Sequence, residues 1–174
     1  PMTYTLDDGS KITKTFVFTK GSYAIDVIYT IQNASTEHKE VRFYAQLRQV
    51  MLQGSGNMMM PTYLGGAYSW DDDRYEKYPF DDMRETPLNR ATESGWVAML
   101  EHYFVSAWIP RTEGTKQLTS SILSNNQALM RVMYPSATIA PNTSADIRAT
   151  LFVGPKDQDA MANVAENLDL TVDY

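Results

Sequence analysis

Apolar and polar residues alternate along most of this chain with the two-residue period of a β-strand. Tyr23, Ile25, Val27, Tyr29 and Ile31 fall on one face, with Asp26, Thr30 and Gln32 opposite. Val41, Phe43, Ala45, Leu47 and Met51 share the face of a second strand, with Arg42, Gln46 and Arg48 opposite. Residues 16–18 belong to an earlier strand, and Lys20-Gly21 is the turn that joins it to the next. Residues 96–100 and 103–109 are dense in aromatic and branched side chains, and Pro110 stops that run. Residues 120–124, 128–134 and 145–153 complete the set. Between them stand turn signals: the polar connection 33–39, Gly54-Ser55-Gly56, Pro135 and Pro141-Asn142. Many short strands separated by such punctuation predict an all-β fold, a twisted two-sheet sandwich over residues 1–154.

One segment departs from the period. Residues 155–167 read as a short C-terminal α-helix. Pro155 suits its first position, where a missing N–H costs nothing. Asp157 and Asp159 follow in the first turn, favoured by the helix dipole. Met161, Val164, Ala165 and Leu168 then recur at helical spacing, so the Met161, Val164, Leu168 stripe is expected to pack on a sheet. An alternating, strand-like tail runs on to Tyr174 with nothing after it to bury it. Residues 155–174 therefore form a C-terminal helix and tail, and the chain reads as a piece cut from a longer protein.

Composition narrows the function. The 174 residues carry a net charge of −6 and a pI of about 4.8. That excludes the basic footprint of a nucleic-acid binder and adhesion to anionic lipid through charge. With no cysteine there is no disulfide framework and no thiol chemistry. A domain this large can bury a sufficient core without disulfides, so an oxidising compartment is compatible. No window approaches the roughly 20 apolar residues that span a bilayer.

The candidate chemistry is thin. His38 lies in a polar loop. His102 follows Glu101 within an apolar run; a mutarotase-type reaction would need it as general acid, with Glu101 or Asp146 as base. Neighbours on a strand point to opposite faces, so Glu101 and His102 do not pair there. Asp71-Asp72-Asp73 and Asp81-Asp82 lack the spacing and glycine of a calcium loop and read as solvated acidic loops. Tyr68, Trp70, Tyr75, Tyr78 and Phe80 mix rings with charge in what reads as a long loop. Such a stretch either forms a protein-contact surface or caps one end of the sandwich. Met58-Met59-Met60 is either an adaptable contact or a gap-filler. Asn33-Ala34-Ser35 and Asn142-Thr143-Ser144 match the glycosylation pattern, incidentally for a bacterial protein. No catalytic, cofactor or metal residue is assigned.

Four segments carry a resemblance. GGAYSWDDDRYEKYPFDD (65–82), GWVAMLEHYFVSAWIP (95–110), VGPKDQDAMANVAENLDLTVDY (153–174) and the opening PMTYTLDDGSKITKTFVFTKGSYAIDV are similar, in the same order, to the periplasmic domain of YidC-type inner-membrane insertases. The segment 95–110 is the most specific. The resemblance implies a supersandwich, mutarotase-like in architecture, of which this chain is the middle and C-terminal portion. It implies a non-enzymatic role on the periplasmic side of the bacterial inner membrane. The expected partners are Sec translocon accessory subunits (SecDF) and nascent inner-membrane proteins, with the transmembrane region outside this chain. The helix bearing Met161, Val164 and Leu168 becomes the junction to the membrane part. The alternative is a carbohydrate-binding or mutarotase-like sandwich. A portion of a larger sandwich is also expected to leave a strand edge or apolar surface uncovered near residues 16–18 and 23–31, and so to self-associate or to be less stable than the complete domain.

Overall fold

The computed structural model describes residues 1–51 and 63–172. The loop at Gly54-Ser55-Gly56, the run Met58-Met59-Met60 and the last two residues lie outside the described residues. The first strands are β1 (Met2–Thr5), β2 (Lys11–Phe18), β3 (Ala24–Gln32), β4 (Lys39–Val41) and β5 (Tyr44–Val50). A hairpin of β6 (Gly65–Trp70) and β7 (Asp73–Tyr78) leads into the short helix α1 (Phe80–Glu85). Then come β8 (Asn89–Thr92), β9 (Trp96–Leu100), β10 (Phe104–Pro110), β11 (Lys116–Leu123), β12 (Gln127–Met133), β13 (Ala137–Ile139) and β14 (Ser144–Pro155). Helix α2 (Gln158–Val164) and a 3-10 helix (Leu168–Thr171) end the described chain.

The strands form an eight-stranded sheet in the order β1-β2-β3-β14-β10-β9-β6-β7 and a four-stranded sheet in the order β5-β12-β11-β8, with β13 and β4 as a separate pair. This is the all-β sandwich that the alternation predicts. Strand β9 shows how it is layered, since all five of its residues are buried. Val97 and Met99 enter the core between the sheets, beside Tyr68, Leu118, Met130 and Val132. Trp96, Ala98 and Leu100 enter a second core on the far face, with Ala67, Ala107, Phe152, Met161 and Leu168. A strand covered on both faces has no polar side to show, hence the unbroken apolar run.

Two predicted elements are redrawn. The single strand through Val41 and Leu47 is two strands in two different sheets: β4 pairs with β13, and β5 with β12. The odd-numbered residues keep one inward face throughout, so the pattern shows no break. The break at Arg42 and Phe43 comes from a change of hydrogen-bonding partner. Pro155 does not open the helix; it is the last residue of β14, opposite Phe104. Lys156 N–H still donates to the Tyr103 carbonyl at 3.0 Å, so the sheet holds the chain past the proline. Asp157 is the N-cap, its side chain accepting from Ala160 N–H at 3.1 Å. The helix stops at Val164, Asn167 takes a left-handed conformation (φ 67°), and the 3-10 turn stands where a strand-like tail was expected.

At the other end of the large sheet, β1 pairs with β2 only from Lys11 to Lys14. Among the described residues the outer edge of residues 15–18 has no strand beside it. Phe16, Val17, Phe18 and Tyr23 are exposed around it, Phe18 at 73%. The opposite edge, β7, carries Asp73, Arg74, Glu76 and Lys77, the charges that blunt a free strand edge.

Candidate functional site

The aromatic stretch is a hairpin and a helix start, not a long loop. Gly66 lets them close: a Cβ there would lie 2.5 Å from Met83 Cε and 2.6 Å from Met130 Sδ. Alternation then sends Tyr68 and Trp70 toward the core between the sheets. Tyr68 is buried, its ring edge-on to Tyr78 at 5.8 Å. Its hydroxyl donates to Glu76 Oε2, and Trp70 Nε1 donates to Glu76 Oε1 at 3.4 Å. The Arg90 guanidinium stacks on the Trp70 ring at 4.7 Å. Burial, reinforced by the Glu76 bond, pushes the Tyr68 hydroxyl up to about 12, so it stays a donor. Burial also raises Tyr78. Phe80 packs on the same core, whereas Tyr75 packs on the second core across the sheet. The five rings therefore do not form one surface, and Tyr68 is buried. Trp70, Tyr78 and Phe80 are half-buried at the rim. A cleft of about 500 Å³ beside them is lined by Tyr68, Tyr78, Asp82, Glu85, Asn89 and Arg90.

The acidic clusters divide. Asp71 is exposed yet anchored. Its carboxylate accepts from Thr92 Oγ1 at 2.8 Å, from Glu93 N–H at 3.0 Å, and from Ser94 N–H and Oγ at 3.2 and 3.1 Å. The Glu93 amide above all holds its carboxyl below the usual range. It ties the β8–β9 turn to the hairpin tip, so Asp71 corrects the reading of a solvated loop. Beneath it, Gly95 runs against the hairpin so closely that a Cβ would meet the Ser69 carbonyl oxygen at 2.0 Å. Asp81 and Asp82 sit in the first turn of α1, and Asp81 pairs with Arg84. Among the described residues no group of three or more metal-binding side chains is gathered.

His38 is exposed in its loop. Glu101 and His102 share the exposed turn joining β9 to β10 rather than lying on a strand. The Asp146 carboxylate accepts from Thr30 Oγ1 at 2.8 Å and pairs with Arg148 at 3.3 Å.

The C-terminal element makes a third layer. Met161 and Leu168 are fully buried under the eight-stranded sheet with Ala165, while Val164 lies at the margin. Two residues that sequence reasoning missed hold it there. Trp96 Nε1 donates to the Glu166 carbonyl at 3.0 Å, and Arg111 Nη2 donates to the Val164 carbonyl. The signal was indirect: α2 has no basic residue in its last turn, so its terminal carbonyls need donors from elsewhere. A groove of about 800 Å³ runs between α2 and strands β2, β3 and β14. Among the described residues no helix is long and apolar enough to cross a membrane.

A family model described as the YidC periplasmic domain matches residues 1–174. Among curated proteins, the membrane protein insertase YidC of Pseudoalteromonas atlantica is 47% identical over 174 residues, covering 100% of this chain and 32% of that protein. Those of Psychromonas ingrahamii and Vibrio cholerae are each 50% identical, covering 96% and 100% of this chain and 30% and 32% of theirs. The chain thus spans about a third of the length of these relatives. Among solved structures, the alpha-galactosidase of Lactobacillus brevis superposes with a TM-score of 0.58 at 10% identity, over 90% of this chain and 23% of that one. The Slr1438 protein of Synechocystis gives 0.55 at 8% identity, over 84% of this chain and 55% of that one. At such identities these two likenesses speak for the fold alone.

Proposed function

The chain belongs to the YidC periplasmic domain family, and from that membership we propose that it works as the periplasmic domain of a membrane protein insertase, on the periplasmic side of the inner membrane. Its role in this reading is protein contact and positioning, without catalysis. The partners are translocon accessory subunits such as SecDF and nascent inner-membrane proteins. The observation that carries the reading is the family match along the whole chain, residues 1–174. The seating of Met161 and Leu168 under the sheet supports the C-terminal element as the rigid junction toward the membrane region. Trp70 and Tyr78, half-buried at the rim of the hairpin, are the rings of the aromatic stretch best placed for contact.

The test is site-specific photo-crosslinking in the full-length insertase in membranes. A photoreactive residue at Trp70 or Tyr78 is expected to yield adducts with translocon subunits or with nascent membrane proteins, and one at His38, in its exposed loop, is not. Equal labelling from all three sites, or none from the hairpin, would remove the hairpin as the contact. A mutarotase-like reading draws no support from His102, which stands in the turn at residues 101–103.

A further inference from the structure

We propose that Arg111 is a positioning residue: through Thr150 and Asp26 it locks the end of α2 to the large sheet and so sets the angle at which the C-terminal element leaves the sandwich. Arg111 follows the end of β10, and its backbone N–H is fixed to the Arg148 carbonyl at 2.9 Å. Its side chain then bonds in two directions. Nε donates to Thr150 Oγ1 at 3.0 Å, and Nη2 donates to the carbonyl of Val164, the last residue of α2. The Thr150 hydroxyl, having accepted from Arg111, donates a hydrogen bond to Asp26 Oδ1 at 2.9 Å. Thr150 is buried, so this relay is fixed by packing as well as by hydrogen bonds. One guanidinium thereby joins β3, β14, the end of β10 and α2.

The chemistry explains why the residue is an arginine. A helix C-terminus carries unpaired carbonyls and partial negative charge, and favours a cation. With no basic residue of its own in the last turn, α2 takes that cation from the sheet. Only a planar guanidinium serves Thr150 and Val164 together; an ammonium on a flexible stem is a single point charge. The consequence reaches the groove, because Ala160, Asn163 and Val164 of α2 form one of its walls and Asp26, Arg111 and Thr150 lie along the facing side. The angle of α2 and the width of the groove are thus held by the same contact.

The significance of this lock rests on the junction reading above, but its existence is testable on the chain alone. In Arg111→Ala, hydrogen-exchange protection of amides 161–171 is expected to fall by about tenfold or more, the loss of one charge-assisted hydrogen bond. Protection in β9, β10 and β14 is expected to stay. Thr150→Val, which removes the hydroxyl while keeping the side-chain volume, is expected to do the same, Thr150→Ser to retain wild-type protection, and Arg111→Lys to fail as the alanine does. Residual dipolar couplings for residues 158–171 are expected to change orientation relative to an unchanged sheet in the first two variants. Uniform loss of protection across the sheet would reduce Arg111 to a general stabiliser. Unchanged amides 161–171 in Thr150→Val, or full function of Lys at 111, would overturn the relay. The same variants in the full-length insertase then address the junction: a freed α2 with normal membrane insertion would sink that reading while leaving the lock in place.

Discussion

Asp71 shows how much one exposed side chain can organise. Its carboxylate gathers two amides and two hydroxyls of residues 92–94 and fixes the turn before β9. These bonds are stronger to the charged form than to the neutral one, so its carboxyl is held below the ordinary value. Asp8 behaves alike, brought down to about 2, first by the hydrogen bond from Lys39 and then by Ser10. For a carboxyl lowered on folding, the stabilisation is complete above its unfolded value, near 3.9, and is lost as pH falls through the folded one. Stability is therefore expected to drop from about pH 4 downward, and Asp71→Asn to show a shallower drop than wild type in a denaturant series at decreasing pH. Parallel curves for the two proteins would mean that the turn does not depend on the charge. The sequence showed three adjacent aspartates but not this division of labour. What separates Asp71 from Asp72 is the turn 92–94, which only the pairing of β6 with β9 brings alongside.

At the scale of elements, the C-terminal segment is where local pattern and outcome part most instructively. The helical spacing of Met161, Ala165 and Leu168 was legible because an apolar stripe needs a surface to cover. The bounds were not. The ladder between β14 and β10 extends to Pro155 and displaces the helix start to Asp157, and Arg111 and Trp96 fix where it ends. The buried stripe predicts that Met161→Ala and Leu168→Ala each destabilise by about 2–5 kcal/mol, measured by chemical denaturation. Near-zero losses for both would mean a loosely tethered element. Val164, at the groove margin, is expected to cost less. Likewise β4 and β5 read as one strand because alternation reports which face is buried, not which strand donates the hydrogen bonds.

The molecule as a whole is a sandwich with an uncovered wing. The four-stranded sheet packs over β10, β9 and β6, and the exposed residues Met2, Tyr4, Phe16 and Phe18 lie on β1 and β2 at the far end of the large sheet. Among the described residues, 15–18 add an open main-chain edge without the charges that protect β7. An apolar edge of this kind recruits another strand. This chain is expected to associate increasingly with concentration in sedimentation experiments, and Phe18→Glu, at a site 73% exposed and so tolerant of change, to abolish it. Persistent monomers at high concentration would show the wing to be inert. The apolar surface expected near residues 16–18 is present, with Phe16, Val17 and Phe18 exposed, whereas β3 is paired on both sides and buries Val27 and Ile31, so residues 25–31 do not belong to it.

Sequence alone determined the strand-rich class, the apolar faces of the strands at residues 23–31 and 41–51, the C-terminal helix and the family resemblance, because each is written in a periodicity or a motif that neighbouring residues carry. The tertiary structure decided what depends on partners distant in the chain. It placed Tyr68 in the core and Tyr75 across the sheet. It gave β9 two covered faces, anchored Asp71 to residues 92–94, and brought Arg111 to the end of α2. Alternation fixes a side chain's face but not its neighbour. The neighbours come from strand order, and the order β14-β10-β9-β6 joins residues as distant in the chain as Val105 and Gly154 through backbone hydrogen bonds that do not depend on side-chain identity.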